Sequence, residues 1–171
     1  METSISKPHA VLISNLGLGH LIPVLEPRKR LVTLHNFEVT IFVASQTSVA
    51  ESKMIQAAMS PKLCQLIEIP PPDISHLLGP DTVLVTILAI MIHESKSALR
   101  AAISTLKSRP TAMIFDLFRA ESFKIADELE IPNYYFVASH AWFLALTVYT
   151  PILNKLVQGQ YVDQTELETV K

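Results

Sequence analysis

The chain has 171 residues, of which 49% are hydrophobic and 18% charged, a composition that suits one globular domain with a sizeable core and excludes a disordered chain. Its formal net charge of -2 argues against a nucleic-acid partner, and its single cysteine, Cys64, excludes an internal disulfide framework and a multi-cysteine metal site. The longest apolar run, Val83 to Ile92, is shorter than the roughly 20 residues that span a bilayer. We therefore expect a cytoplasmic protein without an integral membrane segment.

Short strand-like runs alternate with longer helix-like runs along the chain. The pattern predicts five strands, at 9–14, 37–44, 64–69, 111–116 and 133–139. It predicts helices at 21–35, 46–60, 81–108, 120–130 and 142–157. Strands and helices that alternate at this spacing form a parallel sheet covered on both faces. The predicted fold class is therefore α/β, a Rossmann-like doubly wound parallel sheet with helices on both faces.

Two glycines, Gly17 and Gly19, lie between the first predicted strand and the first predicted helix. Their G-x-G spacing matches the start of a dinucleotide-binding fingerprint, but Ile22 stands where the third glycine belongs. The second strand also ends without the carboxylate that such sites use to bind a ribose. A nicotinamide enzyme is therefore disfavoured, and another Rossmann-like nucleotide binder is the weakest alternative.

Two residues with acid–base chemistry follow strands of the predicted sheet. His20 comes after the first strand, and Asp116 ends the fourth. Because ligands bind at the carboxyl ends of such strands, both residues lie at an edge where a site is expected. An imidazole there can accept a proton from a substrate hydroxyl, while a carboxylate fixes its tautomer. The alternatives are a solvated helix-start histidine and an aspartate that caps the following helix.

A group of aromatic residues follows the fourth and fifth strands. Phe118, His140, Trp142 and Phe143 are predicted at the same edge of the sheet. They either cover the end of the core or form an apolar wall for a flat aromatic ligand.

Several segments resemble the N-terminal domain of plant UDP-dependent glycosyltransferases, and most closely the hydroquinone/arbutin-synthase-like and anthocyanidin 3-O-glucosyltransferase-like group. The resemblance rests on the G-x-G-H-x-x-P motif at 17–23 and the D-L-F segment at 116–118, and it extends to about residue 160. It implies the N-terminal domain of a two-domain GT-B fold. Residues 1–160 would bind the acceptor and 161–171 would form a loose tail, while the C-terminal domain that binds UDP-sugar is expected to be absent.

The resemblance also implies a mechanism and a set of site residues. His20 would be the general base, and Asp116 would be its charge-relay partner. The acceptor, a small phenol or flavonoid, would displace UDP from a UDP-sugar, with glucose as the expected sugar, by inversion. UDP-sugar is a co-substrate here, and neither a cofactor nor a metal is expected. The remaining predicted contacts are to the acceptor, from Phe118, His140 and Trp142, and to the donor, from Gly19 and Ser139.

The sequence departs from this family in two places near the predicted site. Asn15 stands where proline is usual, and Arg119 replaces a small residue, commonly glycine, which places a long cation near the acceptor cleft. Because the donor-binding region is missing from these residues, an alternative function is a non-catalytic protein that binds aglycones or pairs with a full-length homologue.

Overall fold

In the computed structural model, residues 7–15, 17–44 and 65–157 are described. The chain divides into two compact units, Met1–Ala138 and Ser139–Lys171. The predicted helix at 46–60, the first residue of the predicted strand at 64–69 and the predicted tail at 161–171 lie outside the described residues.

The first unit is built on a sheet whose strands all run parallel. Its strands are β1 (His9–Ser14), β2 (Glu38–Ala44), β3 (Gln65–Ile69), β4 (Ala112–Asp116) and β5 (Asn133–Phe136). Their spatial order is β3-β2-β1-β4-β5, so the chain turns to opposite sides after β1 and after β3. In open α/β sheets ligands bind at such a switch point, here beyond the carboxyl ends of β1 and β4.

Helices connect the strands and follow the last of them. They are α1 (Leu18–His35), α2 (Leu84–Glu94), α3 (Lys96–Ser104), α4 (Phe123–Glu128) and α5 (Ala141–Val157), with short 3₁₀ turns at Ser75–Leu77 and Ala120–Ser122. Helix α5 belongs to the second unit, and the others belong to the first. Among these described helices, none has the length and apolar character needed to cross a membrane.

The core has two apolar clusters, and each contains every second apolar residue of β1. Leu21 of α1 packs in one cluster with Leu12 of β1. Leu99 of α3 and Ile125 of α4 pack in the other with Ile13 of β1. Because successive side chains of a strand point to opposite faces, these clusters cover both faces of the sheet. The predicted α/β fold with helices on both faces is confirmed.

The single helix predicted over 81–108 is wrong, since the structure has two helices that meet at Ser95. The hydroxyl of Ser95 donates a hydrogen bond to the carbonyl of Ile92. In a regular helix this carbonyl accepts the backbone N–H of the residue four positions later. The same hydroxyl accepts a hydrogen bond from Arg119. Such side-chain bonds compete with the helical ladder, and the distant partner is invisible to local periodicity.

The helix predicted over 120–130 is shorter in the structure. It starts as the 3₁₀ turn Ala120–Ser122, and α4 itself ends at Glu128. Glu130 has a φ of 52°, in the left-handed region that ends helices. The last predicted strand is also shorter, because β5 ends at Phe136 rather than at 139.

Candidate active site

A glycine turn places His20 at the edge of the sheet. Gly17 follows the end of β1 with φ 90° and ψ 153°, a combination essentially confined to glycine. Its carbonyl accepts the backbone N–H groups of His20 and Leu21 at 3.2 Å each. A Cβ added to Gly17 would meet nothing within 4 Å, so backbone conformation rather than crowding requires glycine here. The turn therefore starts α1 with His20 in its first helical turn.

A short contact joins the side chains of His20 and Asp116. The Nδ1 atom of His20 lies 2.7 Å from Oδ2 of Asp116, whose side chain is 2% exposed against 34% for His20. Because an ionised carboxylate only accepts hydrogen bonds, we assign the proton of the neutral imidazole to Nδ1. The Nε2 atom then carries a free lone pair on a half-buried ring. This arrangement gives a base whose orientation and tautomer are fixed by a buried carboxylate.

The Asp116 carboxylate is itself held by backbone and side-chain donors. Asn15 donates to Oδ2 from its backbone nitrogen at 3.3 Å and from its side-chain amide at 2.9 Å. The backbone nitrogen of Leu117 donates to Oδ1 at 2.7 Å. These bonds fix the position of the carboxylate beside His20. Asn15 lies directly after β1, at the same edge of the sheet as Asp116, and this position is the sequence signal for its contact with the carboxylate.

A pocket opens beside His20, with a cavity volume of about 60 Å³. The ring of Phe118 meets the imidazole edge to face, with 5.6 Å between ring centroids and an angle of 69°. Most of the remaining wall is apolar and comes from residues 69–72 and from Leu88, Met91 and Ile92 of α2. An apolar wall with a few polar groups suits a small aromatic ligand.

Arg119 is the charged residue that lines this pocket together with His20. Its side chain is only 2% exposed. Nη1 donates to the hydroxyl of Ser95 at 3.1 Å, and Nη2 donates to the carbonyl of Ser14 at 3.4 Å. Burial lowers the pKa of Arg119 to about 10, although the nearby charge of Asp116 opposes the shift. The guanidinium therefore stays charged at neutral pH.

The other predicted site residues occupy several places. Gly19 lies exposed in the first turn of α1, with nothing within 4 Å of an added Cβ. Ser139, His140 and Trp142 belong to the second unit. There His140 accepts the backbone N–H of Phe143 through Nδ1 at 3.2 Å, and Trp142 is exposed in the first turn of α5. These contacts place His140 at the start of α5.

The chain is similar to plant glycosyltransferases in sequence and in structure. It is 56% identical to anthocyanidin 3-O-glucosyltransferase 5 of Manihot esculenta over 162 residues, which are 94% of this chain and 33% of that protein. The crystal structure of TcCGT1 in complex with UDP superposes with a TM-score of 0.77 at 37% identity, over 94% of this chain and 35% of that one. The structure of Phytolacca americana UGT2 complexed with UDP-2fluoro-glucose and pterostilbene gives a TM-score of 0.81 at 27% identity, over 94% and 37%.

No family model matches the chain. The relatives nevertheless confirm the resemblance to plant UDP-glycosyltransferases, including the anthocyanidin 3-O-glucosyltransferase-like group. The structural neighbours also confirm the predicted Rossmann-like fold of the domain. The chain spans about a third of the length of the curated relatives that it matches.

Proposed function

We propose that this homologue of plant UDP-glycosyltransferases contributes the acceptor-binding part, residues 1–160, of an enzyme that transfers glucose from UDP-glucose to a hydroxyl of a small phenolic or flavonoid acceptor. The observation that carries the proposal is the 2.7 Å contact between His20 Nδ1 and Asp116 Oδ2, on the rim of an apolar pocket. A base with a fixed tautomer beside a pocket with an apolar wall fits proton abstraction from a phenol.

The chemistry follows from the two side chains. The acceptor hydroxyl gives its proton to Nε2 of His20, and Asp116 stabilises the imidazolium that forms. The acceptor oxygen attacks the anomeric carbon of the sugar while the bond from that carbon to the diphosphate oxygen breaks. UDP leaves with that electron pair, and the anomeric configuration is inverted. The base and its orienting carboxylate supply this step without a covalent enzyme intermediate.

The substrate class is proposed from the pocket and from the relatives. Phe118 and the apolar wall suit a flat ring, the relative from Manihot esculenta is named for an anthocyanidin acceptor, and the Phytolacca americana structure contains the phenol pterostilbene. We retain His140 and Trp142 as acceptor contacts and Gly19 and Ser139 as donor contacts, all as proposals. A UDP-sugar-binding domain would have to complete the enzyme. The lone thiol, Cys64, supports a cytoplasmic location.

A chimera tests the catalytic assignment. Residues 1–157 of this chain replace the matching segment of the Manihot esculenta relative, and glucosylation of cyanidin by UDP-glucose is followed by chromatography. We expect turnover by the chimera and its near loss in His20→Ala, because the hydroxyl then has no base. The matched control is His76→Ala, since His76 lies exposed in the 3₁₀ turn at 75–77. Unchanged kcat in His20→Ala would refute the assignment.

The same substrates distinguish the second candidate, a protein that binds aglycones without converting them. The short coverage of the relatives favours this candidate for the 171-residue chain by itself. The chain is mixed with UDP-glucose and cyanidin, and both binding and product are measured. Bound cyanidin with no turnover by either the chain or the chimera supports the non-catalytic candidate, and detectable glucoside from either one rejects it.

A further inference from the structure

Arg119 carries a buried positive charge that the protein leaves incompletely partnered. Its two described hydrogen bonds go to neutral acceptors, the Ser95 hydroxyl and the Ser14 carbonyl. Its Nε atom is buried and has no hydrogen-bond partner. Within the described residues, Arg119 forms no ion pair with a carboxylate, unlike Arg100, which pairs with Glu128. A buried charge in this state is costly unless something else compensates it.

The carboxylate of Asp116, which lies near Arg119, already has other hydrogen-bond partners. Asp116 opposes the desolvation of Arg119 through its charge, but its Oδ2 atom accepts hydrogen bonds from Asn15 and contacts His20 at 2.7 Å. When His20 takes a proton, the site holds two cations and one anion. One further negative charge would balance this group.

We propose that Arg119 makes this pocket selective for phenolic acceptors that also carry a carboxylate. This inference rests on the proposed acceptor site, in which the phenolic hydroxyl meets His20. The carboxylate of the acceptor lies on the Arg119 side of the same pocket and supplies the missing negative charge. Hydrogen bonds between ionised partners are about twice as strong as neutral ones, and the apolar wall of the pocket strengthens the attraction by excluding water.

Calorimetric titration of the 171-residue chain at pH 7 tests this selectivity. The ligands are two matched pairs of acid and neutral amide: 4-hydroxybenzoate with 4-hydroxybenzamide, and 4-hydroxycinnamate with 4-hydroxycinnamamide. The second pair places the carboxylate farther from the hydroxyl, so the two pairs test two spacings between the charge and the hydroxyl. We expect at least one acid to bind about tenfold more tightly than its amide, the difference that one charge-assisted contact supplies.

Three variants test whether the guanidinium of Arg119 causes the preference for the acid over its amide. Arg119→Gln should abolish the preference for the acid over its amide, whereas Arg119→Lys should keep part of the preference because it keeps the charge. Arg100→Gln is the matched control, since it removes an exposed arginine outside the pocket, and it should keep the full preference. Circular dichroism checks each fold. If Arg119→Gln is unfolded, the comparison of acid with amide in the wild-type chain decides alone.

The outcomes separate this inference from the proposed function. Equal binding of acid and amide overturns the selectivity while leaving the acceptor site in place. A preference for the acid that survives in a folded Arg119→Gln variant also overturns it. If no ligand of either pair binds, the acceptor site itself is wrong, and the inference fails with it.

Discussion

Replacing Asp116 with asparagine tests the electrostatic part of the proposed mechanism while keeping the shape of the side chain. The Oδ2 atom of Asp116 accepts hydrogen bonds from Asn15 and His20, and its Oδ1 atom accepts one from the backbone N–H of Leu117. We expect the asparagine to keep its oxygen at the Oδ2 position, because that position accepts the larger number of donors. His20 then keeps its tautomer but loses the negative charge that stabilises its imidazolium.

The size of the effect follows from the contact geometry. The 2.7 Å contact puts the centres of the two charges at a separation of about 4 Å, where opposite charges attract by about 4 kcal/mol at the effective dielectric constant of partly exposed sites. His20 is 34% exposed, so solvent screens part of this attraction. We therefore expect a loss of about 2–4 kcal/mol in the transition state, which is a fall in kcat of about 30-fold to 1,000-fold.

The assay is glucosylation of cyanidin by the chimera, measured for the parent and for Asp116→Asn at several acceptor concentrations. Asp127→Asn is the matched control, because Asp127 is an exposed carboxylate of α4 whose oxygen accepts a hydrogen bond from Asn133, a bond that an amide oxygen can also accept. It should leave kcat nearly unchanged. A kcat for Asp116→Asn within threefold of the parent would refute the role assigned to the carboxylate.

Three further changes test the fold that positions this pair, each measured by urea unfolding of the 171-residue chain. Gly17→Ala should lower the free energy of unfolding by about 1–3 kcal/mol, because alanine is strained at this positive φ, and it should lower kcat in the chimera by displacing His20; an unchanged urea midpoint would contradict the turn. Leu99→Ala should cost about 2–5 kcal/mol, since Leu99 is 0% exposed, and a smaller loss would mean that the surrounding core collapses into the gap. The pKa of Glu121 is lowered from 4.5, chiefly by its hydrogen bond with His93, so its stabilisation is present above pH 4.5 and is lost as the pH falls through its lower value in the folded state. Glu121→Gln should therefore cost less than about 1 kcal/mol at pH 7 and progressively less as the pH falls below 4.5, whereas a cost that does not change with pH would exclude an electrostatic origin.

The middle of the sheet could be predicted because its central strand, β1, is buried on both faces. In β1 every residue is buried, which matches the continuous apolar run in the sequence. The helices were less predictable where side chains from distant segments interfere. Ser95 divides α2 from α3 while bonded to Arg119, and no local pattern contains that contact.

The location of the candidate site also followed from the sequence, because His20 follows the first parallel strand and Asp116 ends the fourth. Their 2.7 Å separation did not, since it depends on the register in which β1 and β4 pair. Asn15 is unusual in the sequence, but its two hydrogen bonds to Asp116 form only when the ends of β1 and β4 lie side by side.

The sequence by itself determined the α/β class, the order of strands along the chain and the edge of the sheet where the acid–base residues lie. These features could be predicted because hydrophobic periodicity and turn residues act over a few positions. The tertiary structure decided which of those residues touch and which charges are buried. Arg119 illustrates the division: sequence placed a cation near the cleft, and only the folded chain removed it from water and left its Nε without a partner. Burial and pairing arise between segments far apart in sequence, so no local pattern contains them.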